Sequence, residues 1–262
     1  MRRFALMLLL MACQKKAEPP PPPEPVKAPP LIRVAAASDL TRAFEELRVA
    51  FERETKQNVA VTFGASGMLQ KQVVAGAPFD VFASANAEFV DSVIGSKDCL
   101  ADTRAQYALG HLVAWSKPGS VAPAQKLEDL ADARFKRIAI ANPESAPYGK
   151  AAKQALEKAG IWAKVEPRLV MGENIKQTMQ YAESGNVEAA LVALSLAVDM
   201  PPYLRVDEAL HAPIDQTLVV CSHGENVEGG RSFARFVNSE RGRTIMRRYG
   251  LMLPGESLPA AQ

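Results

Sequence analysis

Leu31-Ile32-Arg33-Val34-Ala35-Ala36-Ala37-Ser38-Asp39-Leu40-Thr41, followed by Ala43, Phe44, Leu47, Val49, Ala50 and Phe51, decides the fold class of this 262-residue chain. The apolar run ending at Ala37 is short and nearly unbroken, as a strand buried on both faces requires, and the apolar residues from Ala43 recur at the spacing of an amphipathic helix. Between them lies a turn of small polar residues. The same unit of strand, turn and helix follows twice. Val59-Ala60-Val61-Thr62-Phe63 leads through Gly64-Ala65-Ser66-Gly67 into a helix carrying Leu69, Val73 and Val74, and Val81-Phe82-Ala83-Ser84-Ala85 precedes a helix from about Glu88 to Ile94. Alternation of this kind predicts an α/β fold with a parallel sheet and helices on its faces.

The rhythm returns in the second half. Arg137-Ile138-Ala139-Ile140-Ala141 reads as a strand, Asn142 to Gly149 as a turn, and Lys150 to Lys158 as a helix; Leu169-Val170-Met171 leads through Gly172-Glu173-Asn174 into a helix from Ile175 to Ser184, and Ala189 to Leu194 reads as a buried strand. Two such units predict two lobes. Tyr107 to Trp115 is the candidate strand crossing from the first to the second, Thr217 to Cys221 the candidate for the return, and a helical stretch from Gly229 to Arg247 packs back on the first lobe. The division expected is residues 31–108 with 217–262 for lobe 1, and 109–216 for lobe 2.

Four places share one physical form: Ser38-Asp39, Ser66-Gly67, Pro147-Tyr148-Gly149 and Asn174-Ile175 each stand where a strand feeds a helix. A helix start leaves N–H groups without intrahelical partners and carries the positive end of the helix dipole, so it attracts anions without a formal charge. At the carboxyl ends of strands in two facing lobes, all four would point at one cleft. Taken singly, Ser38 and Asn174 also read as N-caps and Pro147 as an ordinary first helical residue. Asp39, second in its helix start, is expected to point outward and complement the dipole.

Composition narrows the function. The chain is 48% apolar with a formal net charge of +2, which argues for a globular body and against nucleic acid as the main partner. Beyond the first thirty residues the chain suits one large domain or two of about 115 residues each. Cys99 and Cys221 have no metal spacing; a disulfide and two buried thiols both remain open. At the front, Met1-Arg2-Arg3 and the apolar run Phe4 to Ala12 read as a signal peptide over residues 1–12, too short to span a bilayer. Leu10-Met11-Ala12-Cys13 resembles the lipobox of bacterial lipoproteins, which would make Cys13 the lipidated residue. Residues 13–30 then form a lipid-anchored, proline-rich linker, and at about 3.1 Å per residue its polyproline II run spans roughly 50 Å.

Read together and in order, Ala36-Ala37-Ser38-Asp39-Leu40, Gly64-Ala65-Ser66-Gly67, Gly76 to Ala85, Ala146-Pro147-Tyr148-Gly149, Gly172-Glu173-Asn174-Ile175 and Ala193-Leu194-Ser195-Leu196-Ala197 resemble the periplasmic molybdate-binding family, over about Ile32 to Pro254. The resemblance implies the type II periplasmic-binding-protein fold: two α/β lobes, a hinge, and a cleft that closes on the ligand. It implies a solute-binding protein of the periplasm or cell envelope that takes molybdate or tungstate to an ABC permease and its ATPase, with no cofactor and no direct protein–metal ligand, the metal arriving only as an oxyanion. Ser38 and Ser66 would then donate from the first lobe through hydroxyl and amide, with Asp39 adding its N–H, while Tyr148 and Ile175 offer backbone N–H groups from the second. At the place where many members carry a tyrosine hydroxyl, this chain has Ala193.

Donors alone suit a fully deprotonated dianion. Molybdate, tungstate and sulfate qualify, whereas hydrogenphosphate also needs an acceptor. The same fold holding sulfate or phosphate is therefore the nearest alternative. A hydrolytic enzyme is a remoter one, since Ser66 lacks the G-x-S-x-G elbow and His111, His211 and His223 have no triad or zinc spacing. An adaptor without a small ligand would fill the cleft with bulky residues, where Gly67, Gly149 and Ala193 are expected to keep it open.

Overall fold

The computed structural model describes residues 30–256, so the signal peptide, Cys13 and nearly all of the linker lie outside the described residues. The first lobe is built on β1 (Ile32–Ala37), a single 3₁₀ turn (Ser38–Leu40) and α1 (Thr41–Thr55), then β2 (Val59–Gly64), α2 (Ser66–Val74), β3 (Val81–Ser84), α3 (Ala87–Gly95) and β4 (Ala105–Gly110). The second holds β5 (Leu112–Trp115), β6 (Ile138–Ala141), α4 (Pro147–Lys158), α5 (Trp162–Val165), β7 (Leu169–Gly172), α6 (Ile175–Glu183), β8 (Ala189–Ala193), α7 (Leu194–Ala197) and β9 (Tyr203–Arg205). The chain returns through β10 (Ile214–Val220) to α8 (Val227–Val237) and α9 (Glu240–Arg248).

Each lobe centres on a five-stranded sheet, in the orders β2-β1-β3-β10-β4 and β7-β6-β8-β5-β9. The first three strands of each order run parallel, β10 and β5 run antiparallel to them, and the outermost strands β4 and β9 pair antiparallel with β10 and β5. β1 is buried except at Arg33, which explains its unbroken apolar sequence. On α1 the buried stripe is Ala43, Phe44, Leu47, Ala50 and Phe51; Val49 falls off it and stands 46% exposed, contrary to its expected place in the core. Phe44 and Phe51 meet Phe233 of α8 edge-on at centroid distances of 5.8 and 5.3 Å, locking the last helices onto lobe 1.

Two features depart from the sequence reading, and one alternative that it left open is decided. The expected single crossing strand is broken at His111, where β4 ends in the first sheet and β5 begins in the second. At Gly110, beside the break, a Cβ would come within 2.5 Å of the Tyr148 hydroxyl and 2.7 Å of Ile214, so only glycine fits. The final helical stretch is two helices: Ser239 caps α9 by accepting the Gly242 N–H at 3.1 Å, and a Cβ on Gly242 would lie 2.0 Å from the Phe236 carbonyl oxygen. Cys99 and Cys221 are joined in a disulfide, which ties the chain after α3 to the end of β10. Among the described residues no helix is long and apolar enough to cross a membrane.

Candidate functional site

All four strand-to-helix turns lie at carboxyl ends of parallel strands, those after β1 and β2 in one lobe facing those after β6 and β7 in the other. Ser38, Asp39, Ser66, Tyr148 and Ile175 line one small cavity together with Ala37, Gly64, Ala65, Ala85, Ala146 and Pro147. The cavity is small, which suits one compact group. A larger cleft lies near Arg104 and Arg231, whose guanidinium groups are committed to Asp91 and Asp102.

The donors of the first lobe are hydroxyls. Ser66 Oγ accepts the Ala85 N–H at 3.0 Å, so its own hydrogen is left to donate into the cavity. Ser38 is 3% exposed, and among the described residues its hydroxyl has no protein partner. The donors of the second lobe are amides. Ala146 precedes α4 with no side-chain cap, leaving the Tyr148 N–H open, and Asn174 caps α6 by accepting the Gln177 N–H at 3.0 Å, not that of Ile175. No lysine or arginine lines the cavity.

Asp39 overturns the expectation that it points outward. Its side chain is buried, and Oδ2 accepts hydrogen bonds from Gln216 Nε2 at 2.7 Å and from the Tyr148 hydroxyl at 3.3 Å. Burial pushes its carboxyl up to about 6, against the opposing pull of the Gln216 and Tyr148 hydrogen bonds. Burial likewise holds the Tyr148 and Tyr107 phenols well above their ordinary range, so both stay neutral. Two residues that sequence reasoning left without a role act here: Gln216 on β10, and Ser195, whose hydroxyl donates to the Asp39 carbonyl at 2.8 Å. Ser195 was visible within a matched motif; nothing local in the sequence marks Gln216.

The lobes are closed on one another. The Gly67 N–H donates to the Ser145 carbonyl at 2.9 Å across the cleft, and Arg42 reaches Asp199 with both terminal nitrogens, at 2.6 and 2.5 Å. A Cβ on Gly67 would stand 3.0 Å from the Ser145 oxygen, so this glycine permits closure. Gly149 does something else than keep the cleft open: a Cβ there would lie 2.1 Å from the Ala141 oxygen, so its role is the packing of α4 on the end of β6. Ala193 is fully buried at the end of β8 and is not among the lining residues.

The three histidines lie away from this cavity. His223 pairs with Asp98 at the surface, His111 with Glu208, and His211 Nδ1 lies 2.8 Å from the Ala212 carbonyl oxygen. Among the described residues no cluster of three or more His, Cys, Asp or Glu could hold a metal ion.

Comparison with known proteins gives one answer at three levels. Residues 32–252 match the family described as bacterial extracellular solute-binding protein. The molybdate-binding protein ModA of Rhodobacter capsulatus is 31% identical over 82% of this chain and 86% of its own length, and that of Azotobacter vinelandii 32% identical over 84% and 88%. The solved periplasmic molybdate-binding protein of Azotobacter vinelandii superposes with a TM-score of 0.80 at 29% identity, covering 85% of this chain and 99% of that one.

Proposed function

The chain belongs to the bacterial extracellular solute-binding protein family, and from that premise we propose that it captures molybdate or tungstate outside the cytoplasm and delivers it to an ABC importer. The observation that carries the reading is the donor set: two hydroxyls and two helix-start amides around a cavity for one compact group, with no cation among the lining residues. Such a set neutralises a dianion through hydrogen bonds of roughly 1.5–3 kcal/mol each to the charged oxygens. In this reading Ser38 and Ser66 hold one side of the oxyanion, the N–H groups of Tyr148 and Ile175 hold the other, and the Asp39 N–H adds a fifth donor. The relatives named for molybdate binding support the choice of solute.

The chain works as a tethered receptor. Cleavage before Cys13 and acylation of its thiol fix it to the membrane, the proline-rich linker lets the body reach the permease, and closure of the lobes presents a surface the permease reads. The Leu10-Met11-Ala12-Cys13 motif and the proline run support this part.

Thermal melting of the purified chain with molybdate, tungstate, sulfate, phosphate or no addition tests the solute. A ligand at a thousand times its Kd adds about 4 kcal/mol, a rise of roughly 8–16 °C for a chain of this size. The expected outcome is a large shift with molybdate and tungstate and little with phosphate. A shift with sulfate alone changes the solute, and no shift with any oxyanion removes the reading.

A further inference from the structure

Below the anion cavity, three distant parts of the chain meet in one buried knot. Asp39 comes from the turn after β1, Tyr148 from the start of α4 in the other lobe, and Gln216 from the returning strand β10, at a bulge in its pairing with β4. Gln216 Nε2 donates to Asp39 Oδ2 at 2.7 Å and to the Tyr148 hydroxyl oxygen at 2.9 Å, while that hydroxyl donates to Asp39 Oδ2. Two acceptors are left over: Asp39 Oδ1 and Gln216 Oε1 are buried without a partner. The knot is thus short of a donor, and one added proton would supply it. A proton on Asp39 would remove the charge that its unpartnered oxygen leaves buried, while the Gln216 and Tyr148 bonds to Oδ2 stay in place.

We propose that Gln216 is a positioning residue that joins Asp39 of one lobe to Tyr148 of the other, and that this knot makes closure on the anion a proton-taking step. The inference rests on the oxyanion reading above. On opening, Asp39 parts from Tyr148 and gains water while Gln216, in the same sheet as β1, stays beside it, so its carboxyl falls back toward the ordinary carboxylate range. In the closed form its neutral state persists up to about pH 6, and the arriving dianion, in a cavity that Asp39 lines, favours the neutral state further. The closed state therefore holds more protons between the two values. Closure gains as pH falls through 6, and the gain is absent above about pH 7.

The groups that face Asp39 leave this titration to it alone. From α4 comes Tyr148 and from β4 Tyr107, both phenols held neutral. β10 contributes the uncharged Gln216, α7 the Ser195 hydroxyl on the Asp39 carbonyl, and α6 and β2 contribute Ile175 and Gly64 to the same cavity. Arg42 of α1 is turned to Asp199 and the Tyr249 ring.

Calorimetric titration of the full chain with molybdate, in two buffers of different ionisation enthalpy, counts the protons. The expected result is half a proton or more taken up per molybdate at pH 6 and far less at pH 8, with binding about tenfold tighter at pH 5 than at pH 7, or more. Asp39→Asn should abolish the uptake. Gln216→Leu should weaken binding more at pH 8 than at pH 6, because the charged Asp39 then lacks its closest donor; a merely structural role would weaken both alike. No proton uptake by the parent chain at pH 6, or an equal loss in Gln216→Leu at both pH values, overturns the inference. Absence of molybdate binding at either pH would instead remove the solute reading, and this inference with it.

Discussion

The two lobes repeat one sheet plan, three parallel strands flanked by crossing strands, yet they face the cavity with different chemistry. The first presents Ser38 and Ser66 hydroxyls, the second only the backbone N–H groups of Tyr148 and Ile175. A hydroxyl depends on its side chain and can be lost in one substitution. An amide survives almost any substitution and depends on where its helix starts. On the proposed reading, binding in the first lobe is written in residue identity, and in the second in backbone position. That is why glycine and proline matter more there: Pro147 opens α4 and Gly149 lets it sit against β6.

The lobes differ most in how they are braced. The only cysteines beyond Cys13 lie in the first lobe, joined 122 residues apart in sequence. A loop of that length corresponds to about 5 kcal/mol in the chain-entropy picture, with 2–4 kcal/mol typical of measured disulfides. Cys99→Ser with Cys221→Ser should therefore lower stability by about 2–4 kcal/mol, read by denaturant titration. Because the bond stands away from the cavity, molybdate affinity should stay within about twofold. An equal loss in affinity would mean that the first lobe's site depends on this brace.

A smaller effect should come from the hydroxyls. Ser66→Ala removes an anion donor and also leaves the Ala85 N–H without its acceptor, so molybdate binding should weaken by about 2–3 kcal/mol. The counterpart in the second lobe is Ile175→Pro. Ile175 is the first residue of α6, a position that accepts proline, and Asn174 before it is extended at φ −150° and ψ 172°, as a residue preceding proline must be. The substitution deletes one N–H and keeps the helix, so affinity should fall by about 1.5–2 kcal/mol while the far-ultraviolet circular dichroism holds. Unchanged affinity in Ile175→Pro would mean that the α6 amide takes no part in holding the anion.

Much of this architecture was legible in the sequence because parallel strands covered on both faces leave continuous apolar runs, and because each cavity residue sits within a few positions of the strand end that places it. Ser38, Asp39, Ser66, Tyr148 and Ile175 are local signals of that kind. Gln216 was not legible: it meets Asp39 across 177 residues and from a strand whose sequence looks like any other core strand. The direction of the Asp39 side chain was hidden for the same reason, since its acceptors' partners arrive from two other parts of the chain. The break at His111 was also hidden, because Tyr107 to Trp115 stays apolar through the point where one sheet hands over to the other.

In the proposed function one oxyanion is gripped jointly, by side-chain hydroxyls of the first lobe and backbone amides of the second. Diffraction from crystals grown with molybdate, collected at the molybdenum absorption edge, tests it most directly. A single anomalous peak is expected within reach of the Ser38 and Ser66 hydroxyls on one side and of the Tyr148 and Ile175 N–H groups on the other. A peak elsewhere on the chain, or one contacted by a single lobe, would contradict it.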